Sequence, residues 1–157
     1  MRQSINSKWI ALIVVAVFLL FWLIGWYWSF APATYDVNKR VAQQTSVANP
    51  ANIAGYTLTS TMIEVSETLL DKPGGYLSND VIPPGVFLDN MPSFEFGVLE
   101  MIRDLALSMR KDFSRSQSQS IENPYLTKAH PKFNMDHRSW MFPSSESSYR
   151  DGITLLK

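Results

Sequence analysis

The sequence contains no cysteine, and this absence excludes several kinds of site at once. Disulfide bonds, thiolate metal ligands, a cysteine nucleophile and a lipid-modified amino-terminal cysteine are all impossible. A chain without thiols can fold under any redox conditions, so an oxidising compartment is permitted but not required.

An excess of either charge is also missing, because 14 basic residues balance 14 acidic ones. Twelve of the basic residues and all the acidic ones follow residue 32, so that part is slightly acidic. A strongly basic face of the kind that binds phosphate backbones is not indicated, and we expect no nucleic-acid partner. The length after residue 32 suits one small domain.

Charge is absent altogether from Trp9 to Trp28, a run of 20 residues. A helix of this length, at about 1.5 Å per residue, matches the hydrocarbon core of a bilayer, about 30 Å thick. Aromatic side chains that favour the headgroup level stand at both ends of the run. We therefore predict a transmembrane helix over residues 9–28, with the lipid bilayer as a partner and these interface residues: Trp9, Trp22, Trp26, Tyr27 and Trp28.

A cleaved signal peptide is the rival interpretation of this run, because Ala31-Pro32-Ala33 has the small residues of a processing site. The apolar run is longer than the apolar region of a signal peptide, and bulky aromatics precede the site. We therefore expect an uncleaved anchor.

The orientation of the helix follows from the basic residues beside it. Arg2 and Lys8 lie directly before the run, whereas Lys39 and Arg40 follow at a distance. This bias predicts a cytoplasmic amino terminus. In a Gram-negative cell, the protein would cross the inner membrane once and place residues 29–157 in the periplasm.

Gly25 and Ser29 form a small-xxx-small pair at the end of the run. Such pairs let a second helix approach closely, but one pair is weak evidence for dimerisation. We expect Gly25 to face lipid.

The sequence predicts a mainly α protein with one amino-terminal transmembrane helix and a small helical domain interrupted by long Pro/Gly-rich loops. Its parts are predicted to be a cytoplasmic tail (1–8), the span (9–28), a linker or stalk with a helical patch near residues 37–47 (29–55), and the soluble helical domain (56–157).

Helix ends in the domain are predicted from capping residues. Thr61 and Glu64 match a capping box before an apolar pattern that ends at Pro73. Ser93 is a candidate N-cap of the longest soluble helix, whose apolar stripe is Val98, Ile102, Leu105, Met109 and Phe113. Ser144 or Ser145 is expected to cap a last helix.

Proline and serine are expected to interrupt the rest of the domain. The four prolines and three glycines of residues 72–93 predict a long apolar loop packed onto helices. The alternating serines of residues 114–120 predict a frayed or polar helix end. Pro124, Pro131 and Pro143 are expected to break the following region into short pieces.

Residues able to perform chemistry are few. His130 and His137 are the only histidines, and with Asp136 they form the one cluster that resembles metal ligands or an acid/base pair. Their spacing fits neither a helical metalloprotease motif nor a compact zinc site, so we expect solvated histidines on a loop. Asp80 and Asp89 flank the apolar loop and are expected to cap turns.

Nucleophile elbows and phosphate-binding glycine loops are also absent from the sequence. We therefore expect no catalytic residue, metal or cofactor.

The sequence resembles a family of uncharacterised single-pass proteins of proteobacterial inner membranes, classified as a domain of unknown function. The resemblance extends over nearly the whole chain, including the anchor and Pro143-Ser144-Ser145-Glu146, Tyr149 and Gly152-Ile153. Its most specific stretches are Leu69 to Asp80, Pro83-Pro84-Gly85, Leu88 to Pro92, Phe113 to Ser120 and Ser139-Trp140.

This resemblance implies a bacterial, membrane-anchored, mostly helical protein, and it supplies no catalytic residue or ligand. Family members continue beyond the position of Lys157, so the resemblance also implies truncation within a larger helical domain.

These observations lead to a structural or interaction protein that binds a protein partner or a second copy of itself. An enzymatic role is the less favoured reading. The alternative is an envelope hydrolase that acts on a cell-wall or lipid component through Asp80, Asp89, His130 or His137.

Overall fold

The computed structural model describes residues 7–39, 55–113 and 122–157, and the regular elements among these residues are all helices, with no strand. The mainly α prediction is therefore confirmed. The elements are α1 (Ser7–Trp28), α2 (Tyr56–Asp71), a 3₁₀ helix (Gly85–Phe87), α3 (Asn90–Ser108) with a π-helical turn (Met109–Phe113), α4 (Pro124–Phe133) and α5 (Ser145–Leu156).

Helices α2 to α5 form a ring around one core. Helix α2 packs against α3 and α5, and α4 packs against the same two helices. Tyr76 and Tyr149 meet edge to face inside the ring, with centroids 5.6 Å apart. The core also contains these buried side chains: Met62, Leu69, Leu70, Leu99, Ile102, Ala106, Met109, Phe133 and Ile153.

Helix α2 begins at Tyr56, so the predicted capping box at Thr61 and Glu64 is wrong. The Thr61 hydroxyl lies inside the helix and donates to the Thr57 carbonyl oxygen at 2.7 Å. A threonine can bond the preceding turn in this way as well as cap a terminus, so the motif alone does not locate the start of the helix.

Helix α3 also begins before its predicted cap, at Asn90 instead of after Ser93. Pro92 is therefore its third residue, where a missing N–H costs no intrahelical bond. The predicted stripe is confirmed from Val98 to Met109, because Ile102 and Met109 are buried and Val98 and Leu105 pack against the core. The side chain of Phe113, its last predicted member, lies outside the described part of the structure.

Pro131 does not interrupt helix α4. The predicted placement of His130 on a loop is therefore wrong, because His130 lies in this helix. Pro131 lies inside α4, two residues before its last residue, and His130 precedes it in the same helix. Pro124 begins this helix. The Ser144 cap of α5 is confirmed, since its hydroxyl accepts the Ser147 N–H at 3.3 Å.

The serine run of 114–120 and most of the predicted stalk, residues 40–54, lie outside the described residues.

Candidate functional site

The side chains of α1 lack protein neighbours over most of the helix. Gly25 is its one buried residue, and nearly all the large apolar side chains from Trp9 to Tyr27 are exposed, by 39% at Phe21 to 72% at Phe18. A core helix of a soluble domain would be covered instead. The helix is long and apolar enough to cross a membrane.

The end of α1 packs against the domain. A Cβ added at Gly25 would lie 3.5 Å from Pro84 Cβ and 3.7 Å from Leu88 Cδ2. The expectation that Gly25 faces lipid is therefore wrong. The small residue lets a loop of the same chain approach the helix, and the loop occupies the surface that a second helix would need.

Two further contacts fix the same end of α1. The Trp28 indole covers Gly74 so closely that a Cβ there would lie 2.7 Å from Trp28 Cγ. The Asn90 side-chain amide donates to the Ser29 carbonyl oxygen at 3.4 Å. We call the contacts of residues 25–29 with residues 74, 84, 88 and 90 the anchor junction.

A buried ion pair holds the loop that packs against α1. We call residues 72–89 the proline-rich loop. Lys72 at its start donates to Glu95 of α3 and to the Gly75 carbonyl oxygen, and both charged side chains are fully buried. Glu95 also accepts the N–H groups of Leu77 and Ser78 at 2.8 and 2.7 Å. These bonds satisfy the buried carboxylate and fix the loop on α3.

An apolar cavity of about 420 Å³ lies between α1 and the proline-rich loop. It is lined on the anchor side by Phe18, Phe21, Trp22, Gly25, Trp26 and Ser29, and on the loop side by Pro84, Phe87 and Leu88. Its walls are mostly apolar, so it suits apolar groups and offers little to a charged ligand.

A more polar cleft of about 640 Å³ borders the same loop. Asp80, His137 and Arg138 line it together with Ser78 and Phe96. Burial raises the pKa of Asp80, and the nearby Glu146 carboxylate raises that pKa further. The Asp80 carboxylate lies over Gly85, where a Cβ would fall 2.0 Å from its Oδ2 atom, so only glycine fits at that position.

The two histidines lie in different places. The His137 ring is tilted by 47° against the Phe96 ring, with centroids 4.7 Å apart, and stands 3.6 Å from an Asp136 carboxylate oxygen. The His130 ring contacts the Asn134 amide at 3.1 Å. Burial lowers the pKa of His130, and the charges of Arg110 and Lys111 lower it further.

The residues beside the two histidines lie near opposite ends of α3, so the histidines are far apart. Phe96 and Arg110 are 14 residues apart in α3 and its π-helical continuation, which corresponds to about 20 Å at the usual helical rise. The two histidines therefore do not form one site. Within the ranges that the structure describes, no group of three metal-ligating side chains occurs.

Asp89 lies apart from the cleft. It is exposed and directly precedes α3, and its side chain makes no capping bond to that helix. Of the four side chains in the hydrolase hypothesis, only Asp80 and His137 share a cavity.

Residues 2–157 match the model of a family described as an uncharacterised protein conserved in bacteria (DUF2333). The chain belongs to this family. No curated protein matches the chain, and no solved structure matches it. The family has no described activity to assign to the cleft or to the cavity.

The buried ion pair of Lys72 and Glu95 and the packing role of Gly25 were not predicted from the sequence. One signal for Glu95 was present in the sequence. The buried residues of α3 are Met91, Glu95, Leu99, Ile102 and Ala106, so a glutamate stands in the apolar stripe at helical spacing. A charge in that stripe predicts a buried partner, because an unpaired buried charge is very costly.

Proposed function

We propose that this protein is a single-pass inner-membrane protein whose periplasmic helical domain serves as a structural or interaction module held against the membrane. The anchor junction is the observation that carries the proposal. A domain on a flexible tether needs no contact with its anchor, whereas this one packs Gly25 and Trp28 against its own loop and bonds Ser29 to the first residue of α3.

The same junction supports an uncleaved anchor. Processing after Ala31-Pro32-Ala33 would remove α1 and leave Gly74, Pro84 and Leu88 without their cover. The inside amino terminus is supported by the positions of Arg2 and Lys8.

An exposed apolar turn supports binding to another protein. Trp140, Met141 and Phe142 project from the loop before α5, and Phe142 is fully exposed. The Ser139 carbonyl oxygen fixes this turn by accepting the Asn79 amide at 3.1 Å. Clustered aromatic side chains on a fixed backbone are typical of the energetic centre of protein interfaces.

Site-specific photo-crosslinking in native membranes tests this proposal. We expect benzoylphenylalanine in place of Phe142 to give a crosslinked species of higher mass, containing either a second copy or another envelope protein. The matched control carries benzoylphenylalanine in place of Asp151, which is exposed on α5. A chain that gives no crosslink at residue 142 and is extracted only as a monomer would contradict the proposal.

An envelope hydrolase remains the second candidate, because Asp80 and His137 line one cleft with Ser78. Burial raises the pKa of Asp80, and perturbed carboxyls in clefts are enriched at functional sites. Asp80→Asn and His137→Ala should then abolish complementation of a deletion strain while leaving the protein folded. Asp89→Asn is the control outside the cleft. Full complementation by both cleft variants would remove this candidate.

A further inference from the structure

The tip of the proline-rich loop is apolar and exposed. Residues 81–88, which we call the apolar segment, contain no charge and lie between Asp80 and Asp89. The side chains of Ile82 and Phe87 are 71% and 78% exposed, and Val81 and Val86 are about half exposed. Single exposed apolar residues are ordinary, but several within eight residues form a patch that requires a cover.

The apolar segment lies beside α1 and not at the far side of the domain. Pro84 and Leu88 lie within 3.5 and 3.7 Å of the place where a Cβ of residue 25 would be, and Phe87 lines the apolar cavity together with Phe21 and Trp22. Gly25 and Phe21 precede the end of α1 by three and seven residues, which corresponds to roughly 5 and 10 Å along the helix axis. The segment therefore reaches back along the part of α1 that a bilayer would surround.

The backbone of the segment is partly paired within itself. Pro83 and Pro84 have no N–H to satisfy. Of the six other N–H groups, those of Val86, Phe87 and Leu88 donate within the segment, to Ile82, Pro84 and Gly85 carbonyl oxygens at 3.3, 3.0 and 3.0 Å. Such pairing lowers the cost of moving a backbone out of water.

We infer that the apolar segment is a second membrane contact, embedded beside α1 in the interface of the leaflet on the domain side. Phospholipid is the occupant because the patch is continuous with the surface of α1 and reaches about the depth at which interfacial elements are buried, roughly 5–10 Å. The inference rests on the proposed membrane anchoring. One helix alone leaves the domain free to tilt and rotate, and a second contact fixes its orientation.

Depth-dependent fluorescence quenching tests this inference, and the absence of native cysteine makes labelling clean. Single cysteines carrying an environment-sensitive dye are placed in the full chain at Phe87, at Leu19 in the middle of α1, and at Met101. Met101 is an exposed apolar residue on α3, 71% exposed, and serves as the matched control. The proteins are reconstituted in phosphatidylethanolamine and phosphatidylglycerol vesicles with quenchers either near the headgroup or near the end of the acyl chain.

We expect the label at residue 87 to lose emission mainly to the shallow quencher and the label at residue 19 mainly to the deep one. The label at residue 101 should lose emission to neither. A label at Ile82 repeats the test with a second side chain and should behave like that at residue 87.

The possible failures are distinguishable. Quenching at residue 19 without quenching at residues 82 and 87 overturns the inference and leaves the anchoring intact. The absence of quenching at residue 19 overturns the anchoring itself. Protection of residue 87 from lipid quenchers, together with bismaleimide crosslinking of two chains through that residue, would mean that a second copy covers the segment, which also overturns the inference.

Discussion

Glu95 and Lys72 show how a small domain fixes a loop with buried charge. The pair is fully buried, and the carboxylate also receives two backbone N–H groups of the proline-rich loop. Burying charges carries a large desolvation cost that a complete set of partners offsets. The pair therefore determines the position of the loop more than it adds to net stability.

Removing one member of this pair should be severe. We expect Glu95→Ala to lower the free energy of unfolding by about 3–5 kcal/mol, because it leaves the Lys72 ammonium buried without its partner. Chemical denaturation of the protein in detergent measures this change. The control is Glu100→Gln on the same helix. The Glu100 side chain is half exposed, so its pair with Arg103 is expected to be worth about 0.5 kcal/mol or less. A loss at Glu95 as small as that at Glu100 would contradict the structural role of the pair.

Asp80 should make the folded protein less stable as the pH rises, whereas a carboxylate with a basic partner does the opposite. Burial and the Glu146 carboxylate raise the pKa of Asp80 in the folded protein. The contribution of Asp80 to folding stability is therefore fully present below its pKa in the unfolded chain, and it is lost as the pH rises through its pKa in the folded protein. We therefore expect Asp80→Asn to raise Tm at neutral pH. The gain should shrink as the pH falls toward about 4, near the unfolded pKa of aspartate.

Thermal unfolding of both forms over this pH range measures the effect, with the exposed Asp104→Asn as control. A variant that is less stable than the parent at neutral pH would show that the ionised carboxylate has a stabilising partner.

The helices could be predicted from sequence because their signal is local. The stripe from Val98 to Met109 repeats at helical spacing, and the structure confirms it. The ends were less predictable, because the same residue types serve two purposes. Thr61 bonds the preceding turn of α2, and Pro131 fits inside α4 near its end. Capping and breaking signals therefore misplace a terminus when the helix continues through them.

The packing of α1 on the proline-rich loop depends on a small residue at position 25. Gly25→Ala should be tolerated, because its Cβ would meet Pro84 and Leu88 at ordinary contact distances of 3.5 and 3.7 Å. Gly25→Leu should cost about 1–3 kcal/mol through overpacking and should separate the loop from the helix.

Hydrogen–deuterium exchange of the peptide covering residues 84–90, combined with thermal unfolding in detergent, reads out this separation. We expect faster exchange in Gly25→Leu only. Ala16→Leu is the control, because Ala16 is exposed on α1. Equal exchange in the Gly25→Leu and Ala16→Leu variants would show that the junction is not tightly packed.

At the scale of the whole molecule, the site was less predictable than the span. The uncharged run from Trp9 to Trp28 is contiguous, so composition alone reveals it. The anchor junction joins Gly25 to Pro84 and Trp28 to Gly74, and these pairs are far apart in the chain. Periodicity carries no information about such contacts. The family resemblance added no chemistry that would have revealed the junction.

The central claim is that the anchor and the helical domain form one rigid unit, and a distance across the junction tests it most directly. Spin labels at Tyr27 and Met101, both exposed, report this distance by pulsed electron resonance in lipid nanodiscs. The pair at Met101 and Asp151 lies within the domain and gives the width due to the labels alone. The predicted result is a Tyr27–Met101 distance distribution about as narrow as that of the Met101–Asp151 pair. A broad distribution, as expected of a domain that swings on residues 29–55, would contradict the account.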